Sequence, residues 1–163
     1  MPKLTKTHGQ LRWLWVAAVA FAIDFISKII ALQHLQFQTP IEIFPFLNLT
    51  LTYNYGAAFS FLAAQSGWQL WFFTIIAIIV IIAILYWLRK IPRRHNLFAI
   101  SLTFILGGAI GNVFDRIFYG YVIDFIDFHY KAYHWPTFNL ADSFICIGAF
   151  LFILSSLKHN KSN

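Results

Sequence analysis

Apolar and polar positions divide the chain into four long apolar runs and two mixed connections. The runs cover residues 13–32, 68–88, 97–113 and 140–157. Each is close to the ~20 residues a helix needs to cross ~30 Å of hydrocarbon. A backbone cut off from water must satisfy its hydrogen bonds internally, so each run is read as a helix. A chain of 163 residues is too short to bury four such helices in a soluble core. The pattern predicts an all-α integral membrane protein with four transmembrane helices, a single domain over residues 1–163.

The connections follow a different period. In "FLNLTLTYN" (46–54), Leu47, Leu49, Leu51 and Tyr53 alternate with Asn48, Thr50, Thr52 and Asn54. That is the period of a half-buried strand, and Pro45 suits its beginning. "GAAFSFLAA" (56–64) reads as a short helix or turn at the interface. Gly67 and the interfacial aromatics Trp68 and Trp71 then mark entry to the membrane. The second connection, residues 115–139, also alternates at first: Phe118, Val122 and Asp124 share one parity, Ile117, Tyr119, Tyr121 and Ile123 the other. The two connections are expected to form a small β/loop platform on the outer face.

Charge sets the orientation. Only 11% of residues are charged, against 60% hydrophobic. Lys3, Lys6 and Arg12 precede the first run, Arg89, Lys90, Arg93 and Arg94 separate the second and third, and Lys158 and Lys161 follow the fourth. The platform connections carry the more acidic set Glu42, Asp115, Arg116, Asp124, Asp127 and Lys131. The positive-inside rule places both termini and the 89–96 connection in the cytoplasm. The net charge of +6 is therefore a topology signal, and no nucleic-acid partner is expected. Ala20-Phe21-Ala22 resembles a signal-peptide cleavage site, but the apolar stretch continues to Leu32, so a spanning helix is expected. The lone Cys146 has no disulfide partner and no neighbouring base, and reads as a packing residue.

Ionisable groups inside spanning helices are costly and normally face a partner or a cavity. Asp24 and Lys28 share a helix face at i,i+4, and the plainest reading is an ion pair with Lys28 snorkelling to the interface. Gly107 and Gly111 make a GxxxG step, and Asn112, Asp115 and Arg116 share a face. Asn139 is placed to cap the fourth helix with Asp142 at N3.

The six histidines are scattered over both sides and no HExxH occurs, so no metal or other cofactor is expected. Ser27 and Lys28 are helix neighbours and do not face each other. No GxSxG or glycine-rich phosphate loop is present. Carboxylates remain. Two aspartates sharing a water can hydrolyse an amide, one ionised and one protonated. The topology brings Asp124, Asp127 and Asp142 to one outer level, and spacing alone leaves Asp124 and Asp127 as rivals. A different class, a small proton-coupled transporter or channel, would use Asp24, Asp115 and Asp142 to bind ions. Such a relay needs ionisable groups through the bilayer, and the inner halves of the four helices carry none.

Five motifs in order then resemble one family. "DFISK" (24–28), "NYGAAFS" (54–60), "GGAIGNVFDR" (107–116), "VIDF" (122–125) and "FNLADS" (138–143) are similar to those of the bacterial lipoprotein signal peptidases, or signal peptidase II, over essentially the whole chain. Phe25 departs from the glutamine of many members. The resemblance implies a globomycin-sensitive aspartic endopeptidase of the cytoplasmic (inner) membrane. It would cleave prolipoproteins just before their diacylglyceryl-bearing cysteine, near the outer face. It implies Asp124 and Asp142 as the catalytic pair, with no counterpart role for Asp127. Asn54, Asn112, Arg116 and Asn139 would bind substrate or orient the pair, with Gly56 in the same motif set, and Gly108 and Ala141 would leave space for substrate. Asp24 with Lys28, and Asp115 with Arg116, would hold the first and third helices in register. The expected partners are lipidated prolipoproteins and membrane lipid, and the expected state is a monomer.

Overall fold

The computed structural model describes residues 9–56 and 67–160. Four helices carry the fold: α1 (Leu14–His34), α2 (Trp68–Lys90), α3 (Asn96–Phe118) and α4 (Leu140–Asn160). All four are long and apolar enough to cross a membrane. A short 3₁₀ turn, Leu11–Trp13, leads into α1. Strands β1 (Ile41–Phe44), β2 (Leu47–Asn54), β3 (Val122–Tyr130) and β4 (Tyr133–His134) pair antiparallel in the order β1-β2-β3-β4. The sheet gathers the α1–α2 and α3–α4 connections at one end of the bundle, as the platform reading requires.

The apolar faces divide as a lipid solvent demands. Trp71, Ile75, Ile79 and Ile82 on α2 and Phe150, Ile153 and Leu157 on α4 are exposed along their helices. Against lipid such faces carry no penalty, whereas in water they would be a large sticky surface. Helix α3 is the hub, in contact with α1, α2 and α4. Small residues let it serve three neighbours. A Cβ on Gly107 would lie 2.7 Å from both Ala17 O and Ala20 Cβ of α1. One on Gly108 would fall on Ala141 O of α4, and one on Gly148 would lie 2.7 Å from Ser101 O. At the end away from the sheet, Ala17, Ile84, Leu88, Ala99, Leu102 and Leu106 form an apolar cluster. There Gln10, fully buried, closes the α2–α3 connection by donating to Pro92 O at 2.9 Å.

Several expectations are corrected. Helix α3 runs five residues past the predicted end at 113, so Ile117 and Phe118 are helical and β3 begins only at Val122. The second connection is expected to begin at residue 115, but Asp115 lies on α3, buried beside Lys28 of α1 at 2.8 Å. Lys28 does not snorkel; it is 2% exposed. Cys146 is exposed on α4 and packs no core. Strict alternation along β2 also fails, because its register against β3 shifts between Leu49 and Thr52. A bulge there turns the strand's faces over. Of the 56–64 segment, only Gly56 lies within the described residues; it adopts φ 93°.

Candidate active site

The β2 bulge decides which β2 side chains meet each aspartate of β3. Asp124 and Asp127 are an odd number of residues apart, so β3 presents them on opposite faces. Asn48 pairs in register with Asp127 and Thr52 with Asp124. Without the bulge the even-numbered polar residues of β2 would all point one way. With it, Asn48 and Thr50 serve Asp127 while Asn54 serves Asp124. Thr50 Oγ1 donates to Asp127 Oδ2 at 3.0 Å, and His134 Nδ1 lies 2.8 Å from Asp127 Oδ1. Burial raises the Asp127 carboxyl, but the His134, Thr50 and Asn48 contacts outweigh it and hold it below the usual carboxylate value. Asp127 is therefore a satisfied group that pins β4 to the sheet.

Asp124 meets a different set. Asn54 Nδ2 donates to its Oδ2 at 3.1 Å and Asn139 Nδ2 to its Oδ1 at 2.7 Å. The side chain is 1% exposed. Burial, and then the negative charge of Asp142, push its carboxyl up to about 7 despite the amide donors. Asp142 enters from α4. Its backbone N–H donates to Asn139 Oδ1 at 3.0 Å and its Oδ2 accepts from Asn139 N–H at 3.3 Å. These reciprocal bonds are a capping box with aspartate in the glutamate place. Asn112 Nδ2 of α3 donates to Asp142 Oδ1 at 2.8 Å, and Asn139 Nδ2 reaches Asn112 Oδ1 at 3.1 Å. Asn139 and Asn112 thus link the two carboxylates through one amide network.

Around this network lie the other motif residues. Gly56 N–H donates to Asn54 Oδ1 at 2.9 Å, which orients the asparagine amide toward Asp124. Its positive φ favours glycine. Arg116 donates from Nη1 to Asn112 O at 3.3 Å, and its buried Nε has no hydrogen-bond partner. Its charge acts on Asp142, Asp124 and Asp115. The expected Asp115–Arg116 pairing is replaced by Asp115–Lys28, and Lys28 also binds Asp24 at 2.8 Å. Gly108 and Ala141 pack against each other. The space assigned to substrate at those positions is taken by the α3–α4 contact.

Sequence reasoning missed the cross-helix reach of Lys28 to Asp115 and Asn112. It also missed His134, Asn48 and Thr50 as the partners of Asp127. A helical spacing reports neighbours on one helix only, and nothing local signalled these contacts. Among the described residues, no three histidine, cysteine or acidic side chains are grouped to hold a metal ion.

The fold and the buried carboxylates define a multi-pass membrane enzyme. A solved bacterial membrane enzyme, determined in meso at 2.3 Å resolution, superposes with a TM-score of 0.81 and 32% identity over 96% of this chain and 95% of that one. A second, at 1.9 Å, gives the same TM-score over 95% and 98%. Residues 16–158 match the sequence model of signal peptidase (SPase) II. The lipoprotein signal peptidase of Alteromonas mediterranea is 50% identical over 98% of this chain and 87% of its own. That of Aeromonas hydrophila is 48% identical over 97% and 95%. The chain belongs to the signal peptidase II family of aspartic peptidases.

Proposed function

We propose that Asp124 and Asp142 are the catalytic pair of a membrane endopeptidase that cleaves diacylglyceryl-modified prolipoproteins just before the lipidated cysteine. The observation that carries this reading is the amide network joining the two carboxylates. Asn139 holds Asp124, Asn112 holds Asp142, and the two asparagines bond each other.

Asp124 is the member of the pair that carries the proton in this scheme, since burial and the charge of Asp142 raise its carboxyl to about 7. Asp142 sits in the first turn of α4, where the helix dipole favours its negative charge. In the reaction, ionised Asp142 takes a proton from water as the water oxygen attacks the scissile carbonyl carbon. Asp124 donates its proton to the carbonyl oxygen, and a tetrahedral diol forms. The diol collapses as Asp142 returns its proton to the leaving nitrogen and a diol hydroxyl returns one to Asp124. The C–N bond breaks, releasing a carboxyl terminus on the signal peptide and a free amine on the cysteine. Arg116 and Asn54 bind the substrate backbone beside the pair.

The chain works as a monomer and a single domain, since every group in this scheme comes from one chain. Its membrane is the bacterial cytoplasmic (inner) membrane, with both termini and the α2–α3 connection in the cytoplasm and the sheet outside. The support is the basic Arg89, Lys90, Arg93 and Arg94 at that connection. Purified protein incubated with a lipidated prolipoprotein should release the signal peptide and expose a cysteine amine; no release would sink the reading.

A further inference from the structure

Two backbone amides lie directly before the proposed catalytic carboxylates, and each is held by one buried cluster. Ile123 N–H donates to Asp115 Oδ2 at 3.1 Å, one residue before Asp124. Ala141 N–H donates to Asp24 Oδ1 at 2.8 Å, one residue before Asp142 and 117 positions from Asp24 in the chain. Lys28 stands between the two. Its Nζ lies 2.8 Å from Asp24 Oδ2, 2.8 Å from Asp115 Oδ2 and 3.3 Å from Asn112 Oδ1. Two carboxylate oxygens and one amide oxygen thus surround the ammonium.

Holding α1 against α3 does not require this arrangement. One lysine and one carboxylate would do that. Two carboxylates around one ammonium leave an excess negative charge in a buried place, which is costly. The amide donors offset part of that cost through charge-assisted hydrogen bonds. Asp24 turns its second oxygen to the α4 amide, while Asp115 shares one oxygen, Oδ2, between Lys28 and the β3 amide. Gly111 makes the room: a Cβ there would fall on Asp24 Oδ2.

We propose that Asp24, Lys28 and Asp115 are positioning residues that set the separation and orientation of Asp124 and Asp142 by gripping the amide before each. This inference rests on the reading of Asp124 and Asp142 as the catalytic pair. Sharing one proton and one water demands a fixed spacing, and a misplacement of ~1 Å can cost on the order of 10²-fold in rate. Lys28 makes the two grips interdependent, because it binds both carboxylates that form them.

The test uses full-length Asp24→Asn, Asp115→Asn and Gly111→Ala with a lipidated prolipoprotein. The folded fraction of each is measured by thermal melting, and kcat and KM are expressed per folded molecule. Gly111→Ala is informative because it removes no charge and no hydrogen-bonding group; it only displaces the Asp24 carboxylate. All three should lose at least about tenfold in kcat per folded molecule, with KM within about twofold of the parent. A merely structural cluster would lower the folded fraction and leave kcat per folded molecule unchanged, and that result would overturn the proposal. If the charge variants yield no folded protein, Gly111→Ala decides alone. Asp124→Asn and Asp142→Asn are assayed in parallel. Activity retained in those two would overturn the catalytic pair itself; their inactivity beside normal cluster variants would overturn the positioning role alone.

Discussion

Asn139 donates from its side-chain amide to Asp124 at 2.7 Å. The same residue caps α4 by accepting from the Asp142 backbone, so one side chain serves both proposed catalytic carboxylates. The two duties can be separated. Serine caps helices well but has no amide to offer Asp124. Asn139→Ser should keep a melting temperature near the parent's and lose activity. Leaving the buried Asp124 oxygen without its donor costs roughly 1–3 kcal/mol, which corresponds to a rate loss of roughly fivefold to a hundredfold. Asn139→Ala should add a cap loss of about 1 kcal/mol. Parallel melting and cleavage assays check both; an active Asn139→Ser would show that the amide contact is dispensable.

Removing either proposed catalytic carboxylate should abolish cleavage. Asp124→Asn and Asp142→Asn are expected to insert, fold and show no measurable turnover. Asp127→Asn should retain most activity, because Asp127 faces Thr50 and His134. Its cost should appear as stability instead. The Asp127 carboxyl is held low in the folded protein, so its contribution is present above the unfolded value of 3.8 and is lost as pH falls through the lower folded value. Equal inactivation of all three variants would leave the assignment unsupported.

The rivalry between Asp124 and Asp127 also marks where the sequence stops being legible. Four apolar runs predicted four helices, because hydrocarbon admits few alternatives to a long apolar helix. The cap at Asn139 and Asp142 could be read because it is local, a contact at i,i+3. Which β2 side chains serve Asp124 and which serve Asp127 could not be read, since that depends on a bulge in β2, and "NLTLTYN" alternates without interruption. The length of α3 was misjudged for a similar reason. Asp115 looks like a solvent-seeking residue until Lys28, 87 positions away in "DFISK", is brought beside it. Motif resemblance singled out the relevant residues without saying what each touches, and for Gly108 and Ala141 the contact proved to be with each other.

The raised Asp124 carboxyl predicts a pH dependence of known sign. Burial and the Asp142 charge bring it from 3.8 to about 7. If Asp124 must carry the pair's proton, kcat/KM should fall as pH rises through about 7. A profile flat to alkaline pH would remove Asp124 from the proton-carrying role. The folded state holds this proton more tightly than the unfolded chain, so stability falls as pH rises from 3.8 to about 7. Asp124→Asn should therefore melt higher than the parent at neutral and alkaline pH, with the gain vanishing in acid below the unfolded value.

The last prediction concerns what the substrate's lipid does. The sheet and the first turns of α4 place Asp124 and Asp142 at one end of the bundle, beside faces of α2 and α4 that are exposed and apolar. The scissile bond must then lie near the membrane surface while the acyl chains stay in hydrocarbon. A methylene leaving water gains ~0.8 kcal/mol, but one already in the bilayer gains little by entering a protein groove. The diacylglyceryl group should therefore act mainly by fixing the depth and register of the peptide at the carboxylate pair. An unlipidated precursor that still inserts should be cleaved very poorly, whereas shortening the acyl chains by a few carbons should matter much less. Initial cleavage rates for lipidated, short-chain and unlipidated precursors, compared at equal membrane density, distinguish the cases. Equal rates for the lipidated and unlipidated forms would rule the positioning role out, and a loss proportional to chain length would replace it with binding energy drawn from the acyl chains themselves.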